Sequence, residues 1–274
     1  MRHAKTQRIM DEAHDILAAF NPMTVRQVFY QLVSRQVIEN TRGAYQGVSD
    51  ALVAARREGL IPWSWIEDRL RRPRGVSMWD DLADFAESMR RWYRRDVWAT
   101  QPRKLEVWLE KDALSGIFSD ALNRYGVTLN VGRGYDGWSS IRNAADRFAD
   151  GGDVTVLYFG DFDPSGEDMV RSLRERLATL ESTPDIVKVA LTPDDIKQYN
   201  LPPNFTKATD TRRQKHIDRF GDLSVELDAL PASVLQARLI AEVEQRMDME
   251  ALAAVRAQEE RERAQLVEAL RAIA

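Results

Sequence analysis

The 274-residue chain lacks cysteine, has only three histidines, and has no apolar stretch that approaches membrane-spanning length. Without cysteine, disulfides, thiolate catalysis and zinc sites built on sulfur are excluded. The histidines at positions 3, 14 and 216 are too scattered to indicate a metal cluster. The N-terminus mixes basic and acidic residues and does not resemble a signal peptide. We therefore expect a cytoplasmic protein without a membrane partner.

Composition and charge point to a globular protein with unlike halves. The chain is 44% hydrophobic and 30% charged, and it is long enough for two domains. Residues 1–104 carry 18 Lys/Arg and 13 Asp/Glu, a net +5, so the overall −4 leaves −9 for the remainder. This asymmetry favours an anionic partner for the first part and a cation site in the second.

Two apolar runs about fifty residues apart end on acidic side chains. Residues 104–109 lead to Glu110, and residues 154–160 lead to Asp161 and Asp163. Buried parallel strands deliver site residues at their carboxyl ends. Carboxylates gathered there would repel each other without a cation, and oxygen ligands suit Mg²⁺, for which Mn²⁺ can substitute. Taken alone, the second motif also fits a strand-to-helix turn in which Ser165 or Asp163 caps the next helix.

The second part of the chain alternates between strand and helix patterns, which predicts an α/β fold with a parallel sheet flanked by helices over residues 101–274. Strands are predicted at 104–109, 127–131, 154–160 and 186–190, helices at 112–124, 139–149 and 165–181, and a charged helical tail at 231–274. Glycines 132, 134 and 137 match neither a dinucleotide fingerprint nor a phosphate loop, so a structural turn is predicted there and no nucleotide cofactor.

The first hundred residues have the pattern of a helical DNA-binding domain. Helices are predicted at 4–19, 25–34 and 44–57, followed by an extended segment with Pro62, Trp63 and Trp65 and a helix at 79–95. This order favours a winged-helix domain over residues 1–100. Two arginine clusters, at 69–74 and 90–95, could contact DNA phosphates. The candidate contact residues are Arg71, Arg72, Arg94 and Arg95. A solvated, internally paired face is the alternative interpretation.

The helix at 25–34 carries a candidate nucleophile. Its apolar stripe includes Val28, Phe29 and Leu32, whereas Tyr30 falls outside that stripe with Arg26 one turn before it. We therefore predict an exposed Tyr30 whose hydroxyl attacks phosphate while Arg26 holds the phosphoryl oxygens. A tyrosine that packs on a neighbouring helix is the alternative.

Together these motifs resemble the A subunit of topoisomerase VI and the related transesterase that makes meiotic double-strand breaks. The sequence Arg26-Gln27-Val28-Phe29-Tyr30 resembles that family's tyrosine motif, and Leu109-Glu110-Lys111 resembles its Toprim glutamate motif. Residues 160–166 resemble its Asp-x-Asp-Pro-x-Gly motif, residues 132–135 its glycine–tyrosine turn, and residues 225–230 a later acidic segment. The resemblance covers roughly residues 20 to 245.

The resemblance implies a winged helix joined to a Toprim domain and an enzyme that cleaves double-stranded DNA. Tyr30 would become linked to the 5′ end, and Mg²⁺ would be held by Glu110, Asp161 and Asp163, with Glu110 also catalytic. A homodimer is implied, because tyrosine and metal come from different subunits in that family. The chain lacks the long N-terminal extension that engages the ATPase partner, so the small stand-alone members are the nearest type and no such partner is expected.

Two other functions fit the same residues. A Toprim nuclease would cleave DNA with activated water and form no covalent adduct. A DNA-binding protein with an inactive site would bind DNA without cleaving it.

Overall fold

The computed structural model describes residues 4–66, 76–132, 137–149, 152–203 and 212–271. The fold is a mixed α/β architecture built on a four-stranded sheet with helices on both faces. The strands are β1 (Lys104–Leu109), β2 (Thr128–Val131), β3 (Val154–Phe159) and β4 (Asp185–Ala190). Their order is β2-β1-β3-β4 and all pairs are parallel, which confirms the predicted sheet.

The described residues also form eleven α-helices. They are α1 (Ala4–Phe20), α2 (Val25–Ser34), α3 (Arg42–Arg57), α4 (Leu82–Trp92), α5 (Ser115–Asn123), α6 (Trp138–Ala149), α7 (Pro164–Ala178), α8 (Pro193–Gln198), α9 (Arg213–Phe220), α10 (Ala232–Glu244) and α11 (Met249–Arg271). None of these helices combines the length and the apolar character needed to cross a membrane.

The two faces of the sheet have separate apolar layers, because side chains alternate along each strand. One layer packs Trp108 and Val156 against α6 and α7. The other begins with Val107 and Phe159 and extends without a break to α1, α2, α3, α5 and α10. The second layer therefore fixes α2, which carries Tyr30, relative to the carboxyl ends of the strands.

The N-terminal helices begin and end close to the predicted residues, whereas α4 is shorter than its predicted 79–95. Before β1, strand pairing among the described residues is limited to an isolated bridge between Met23 and Ile66. Residues 67–75 lie outside the described part. The winged-helix interpretation therefore stays a prediction.

The C-terminal helix α11 packs along α4 and holds the segment that follows it. The Tyr93 hydroxyl donates a hydrogen bond to Glu262 at 2.5 Å, and the Arg95 backbone N–H donates to Glu259 at 2.8 Å. The charged tail is thus part of the folded structure and contacts residues that are distant in sequence.

A partly buried ion pair between α8 and α10 is expected to contribute to stability. Arg238 donates to both carboxylate oxygens of Asp195, at 2.9 and 2.5 Å, and Asp195 also accepts the Thr192 N–H at 2.9 Å. Asp195→Ala removes the carboxylate partner of Arg238, which keeps the Val189 carbonyl as an acceptor, and we expect a loss of about 2–3 kcal/mol in the free energy of unfolding. Urea denaturation measures it, and the exposed neighbour Asp194→Ala is the control with little effect.

The contribution of Asp195 should depend on pH. Burial opposes its ionisation, but the hydrogen bonds from Arg238 and Thr192 keep its pKa below the ordinary value. Its contribution is present in full above about pH 4 and is lost as the pH falls through the lower pKa of the folded protein. The difference between wild type and Asp195→Ala should shrink in that acid range; a constant difference would show that packing, not charge, is responsible.

Candidate functional site

The structure brings Glu110 and Asp161 together at the carboxyl edge of the sheet. Glu110 follows β1 and Asp161 follows β3, and these two strands are neighbours in the sheet. The backbone N–H of Asp161 donates to Glu110 Oε2 at 2.9 Å, and the Glu110 N–H donates to the Phe159 carbonyl at 2.9 Å. The side chain of Glu110 is therefore held against the start of the second acidic motif.

Asp161 is buried and paired with a lysine. Lys111 Nζ lies 2.7 Å from Asp161 Oδ2, and the Leu227 backbone N–H donates to Asp161 Oδ1 at 2.8 Å. Burial raises the pKa of Asp161, and the Lys111 ammonium opposes that rise. Both carboxylate oxygens thus have a hydrogen-bond or ion-pair partner within the chain.

Asp163 caps α7 as the turn interpretation predicts. Its Oδ1 accepts the Gly166 backbone N–H at 2.6 Å, and Pro164 occupies the first turn of the helix. A side chain at Gly166 would clash with the Asp161 carbonyl, so glycine allows the helix to begin this close to the acidic site. The motif therefore begins α7. The cap uses only Oδ1 of Asp163, so Asp163 Oδ2 could still bind a cation.

The carboxylates of the predicted metal set influence one another. Burial raises the pKa of Glu110 to about 7, and the negative charges of Asp161 and Asp163 add to the rise. Like charges held this close favour a cation between them. The oxygen-only donor set accordingly fits a hard divalent cation such as Mg²⁺ in its chemistry.

The arrangement is not a preformed metal cage. Among the described residues, no group of three or more His, Asp or Glu side chains is arranged to hold a metal ion. The ammonium of Lys111 instead supplies positive charge at Asp161. The predicted set of Glu110, Asp161 and Asp163 thus offers the oxygen donors that a hard metal ion needs. A bound cation would share the Asp161 carboxylate with Lys111.

A second acidic pair, Glu226 and Asp228, lies beside the first. Arg26 Nε donates to Asp228 Oδ2 at 2.6 Å, and Arg26 Nη2 donates to Glu226. Lys111 Nζ lies 3.3 Å from Glu226 Oε2 and so joins the two pairs. Asp228 Oδ1 is buried without a hydrogen-bond partner among the described residues, and burial raises the Asp228 pKa to about 6.

Tyr30 does not lie where the helical pattern predicts. Its side chain belongs to the buried core and the residue is only 5% exposed, so the prediction of an exposed tyrosine is wrong. The helical wheel considers one helix alone. Here the segment around Glu226 and Asp228, two hundred residues away, covers the face of α2 that carries Tyr30 and Arg26.

The surroundings of Tyr30 keep its hydroxyl protonated. Burial, together with the negative charges of Asp228 and Glu226, raises the pKa of Tyr30 far above its ordinary value. Its hydroxyl is hydrogen-bonded to Glu226 and accepts from Arg26 Nη2 at 3.4 Å. Although burial opposes the ionisation of Glu226, Lys111 and Arg26 lower its pKa. Glu226 is therefore an ionised carboxylate beside a neutral phenol.

A cleft leads from the surface to Tyr30. Its lining includes Arg26, Tyr30 and Glu226, together with Arg42 and Tyr45 from the first turn of α3. The cleft gives Tyr30 an opening despite its burial.

The predicted DNA contacts have different surroundings. Arg71 and Arg72 lie outside the described residues. Arg94 is exposed and donates to the backbone carbonyls of Arg91 and Tyr93 at 2.8 and 2.9 Å. Arg95 is paired with Glu262 of α11, so part of its charge is already matched within the protein.

Sequence reasoning assigned no role to three residues of the site, Lys111, Glu226 and Asp228. Lys111 belongs to the motif that resembles the Toprim glutamate motif, and residues 225–230 resemble a later acidic segment of the same family, but neither resemblance assigns these side chains a role. The signal that could have found Glu226 and Asp228 is their spacing in the sequence, which repeats the spacing of Asp161 and Asp163.

The sequence was also compared with known proteins. No protein-family model matches the chain, and no curated protein matches it at a significant level. The functional interpretation therefore rests on the residues and their geometry.

Proposed function

We propose that this protein is a metal-dependent enzyme that cleaves DNA by transesterification, with Tyr30 as the nucleophile. The observation that carries the proposal is a continuous set of contacts within one chain. It runs from the Tyr30 hydroxyl to Glu226, from Glu226 to Lys111, and from Lys111 to Asp161 beside Glu110. A nucleophile, a base and a cation-binding group are thus adjacent, as phosphoryl transfer requires.

In the proposed reaction the Tyr30 oxygen forms a bond to a backbone phosphorus, and the bond from phosphorus to the 3′ oxygen breaks. The phenol proton passes to Glu226, which is ionised and already hydrogen-bonded to the Tyr30 hydroxyl, and Glu226 later returns that proton to solvent. The 3′ oxygen leaves and takes a proton from water. The products are a 5′-phosphotyrosyl link and a free 3′ hydroxyl.

Two cations of the chain support this step. Arg26 contacts both Tyr30 and Glu226, so it can hold a phosphoryl oxygen while the phenol loses its proton. Lys111 neutralises Asp161 and Glu226 and reduces the repulsion that a DNA phosphate meets there. Both side chains are already ordered by ion pairs, and ordering lowers the cost of reaching the transition state.

Glu110, Asp161 and Asp163 are the residues that would hold the divalent cation. When bound, the cation supplies positive charge that orients the phosphate and stabilises the leaving oxygen.

The proposal also includes the domain organisation, the substrate and the oligomeric state. A winged helix in residues 1–100, a Toprim domain in residues 101–274, double-stranded DNA as substrate and a homodimer follow from the resemblance. The contacts between Tyr30 and the acidic cluster lie within one chain, so a second copy is not required to bring Tyr30 to Glu226.

A nuclease that uses water as nucleophile is the second candidate. The burial of Tyr30 and its raised pKa favour it, because a buried, protonated phenol is a poor nucleophile toward a polymer. In that case Tyr30 and Arg26 would only pack against the acidic segment.

A single experiment separates the candidates. Supercoiled DNA and linear DNA labelled at its 5′ or 3′ ends are incubated with the protein and Mg²⁺ or Mn²⁺, stopped with detergent and run on a denaturing gel. The transesterase predicts protein bound covalently to the 5′ end. Cleavage with free 5′ phosphate supports the nuclease, and binding without cleavage supports an inactive DNA-binding protein.

DNA affinity is expected to depend on the basic clusters and on salt. Charge reversal at Arg71, Arg72 and Arg94 removes phosphate contacts and should weaken binding to all sequences alike, with the salt slope falling by about one for each arginine replaced. Arg95→Glu also breaks the pair with Glu262, so it should be tested separately. Fluorescence anisotropy across a salt series measures the effect, with the exposed Arg261→Glu as control. Unchanged affinity would mean that these clusters are solvated faces.

A further inference from the structure

Arg42 is an exposed cation whose position is not explained by the stability of its helix. It is the first residue of α3, where the helix dipole disfavours positive charge. Among the described residues it has no carboxylate or other hydrogen-bond partner. Arg26, in the same cleft, is matched by Glu226 and Asp228. Arg42 therefore brings an unmatched positive charge to the cleft that contains Tyr30.

Tyr45 places a phenol next to that charge. It follows Arg42 by three residues on the same face of α3. Its ring packs edge-on against Phe29, with 5.3 Å between the ring centroids, and the residue is 37% exposed. Within the described structure its hydroxyl has no hydrogen-bond partner. The ring is held by packing, and the hydroxyl remains free to donate.

Arg42 and Tyr45 are the more exposed groups of this cleft, whereas Tyr30 is buried. The guanidinium of Arg42 offers two parallel N–H donors and the Tyr45 hydroxyl offers a third, a set that suits phosphate oxygens. Arg26, the other arginine that lines the cleft, is already paired with Glu226 and Asp228, so Arg42 is the lining arginine whose charge is left for an anion. A phosphate held here would lie in the same cleft as Tyr30.

We infer that Arg42 and Tyr45 form a binding subsite for a DNA backbone phosphate at the mouth of the Tyr30 cleft. The inference rests on the proposed function in taking DNA as the substrate. Arg42 and Tyr45 are positioning residues in this subsite: they hold the phosphodiester in reach of Tyr30 and take no part in the bond changes.

The test compares Arg42→Gln with Arg57→Gln, which removes another exposed arginine from the opposite end of α3. Duplex DNA binding is followed by fluorescence anisotropy over a salt series. Arg42→Gln should lower affinity about tenfold and reduce the salt slope by about one, whereas Arg57→Gln should change affinity by less than about threefold. Thermal melting should show no destabilisation by Arg42→Gln, because the substitution removes an unfavourable charge from the helix N-terminus.

Tyr45→Phe keeps the ring on Phe29 and removes only the hydroxyl. If the wild-type protein forms adduct, this variant should form it more slowly at subsaturating DNA and at the wild-type rate at saturating DNA, as expected for a positioning group. Equal rates in Tyr45→Phe and wild type at all DNA concentrations would remove Tyr45 from the subsite.

The outcomes keep the subsite and the proposed function apart. An Arg42-specific loss of DNA affinity in a protein that forms no adduct supports the subsite and rejects transesterification. Adduct formation with equal DNA affinity in Arg42→Gln and Arg57→Gln supports transesterification and overturns the subsite. Inorganic phosphate is a second probe: if it shifts the Tyr45 NMR signals in wild type but Arg42→Gln binds DNA normally, the site takes free phosphate and the DNA assignment is wrong.

Discussion

Tyr30→Phe is expected to abolish the covalent adduct completely while leaving the protein folded and able to bind DNA. The substitution removes the oxygen that would bond to phosphorus and retains the ring that packs in the core. Loss of the hydrogen bond to Glu226 should lower the free energy of unfolding by about 1 kcal/mol. Adduct is measured on denaturing gels with end-labelled DNA, and stability by urea denaturation.

Tyr125→Phe is the matched control for Tyr30→Phe. Tyr125 is also buried, and its hydroxyl also donates to a glutamate, Glu244, but it contacts α10 rather than the acidic site. It should retain adduct formation despite a similar loss of stability. If Tyr30→Phe still forms adduct, the nucleophile is another residue, and Tyr45 in the same cleft is the first to test. If Tyr30→Phe cleaves as fast as wild type without adduct in either, the nuclease is the correct function.

Glu110→Gln and Asp163→Asn are expected to lower metal-supported cleavage by about a thousandfold without unfolding the protein. The new amide in Glu110→Gln can still accept the Asp161 N–H, and the one in Asp163→Asn can still cap α7, because each amide keeps a carbonyl oxygen. The two variants differ from wild type chiefly in negative charge. Cleavage is measured at saturating DNA, and Mn²⁺ binding is measured directly by electron paramagnetic resonance.

Asp120→Asn on the exposed side of α5 is the control for these two variants and should behave as wild type. Normal Mn²⁺ binding in both Glu110→Gln and Asp163→Asn would remove these carboxylates from the metal site. Weak Mn²⁺ binding combined with normal cleavage would show instead that the reaction does not need the metal, which leaves Arg26 and Lys111 as its sources of positive charge. Asp161→Asn is less clean, since it also breaks the ion pair with Lys111.

The sheet and one half of the site could be predicted from the sequence. Apolar runs at 104–109 and 154–160 are long enough and uniform enough to be buried parallel strands, and their acidic ends must then meet at one edge. Local chemistry also predicted that Asp163 could cap the next helix. These features depend on neighbours in sequence and on the two-residue repeat of a strand, so a single sequence contains them.

The surroundings of Tyr30 depend on contacts that no local pattern contains. Helical periodicity placed it on the outer face of α2 because the pattern reports only which side of a helix is apolar. Residues 225–230 cover that face with apolar and polar groups: Leu227 belongs to the same core layer as Tyr30, and Arg26 pairs with Glu226 and Asp228 across about two hundred residues of chain. The pattern of α2 does not reveal this cover, because both kinds of contact come from a segment that is distant in sequence. For the same reason the link through Lys111 between the two acidic pairs is visible only in the folded chain.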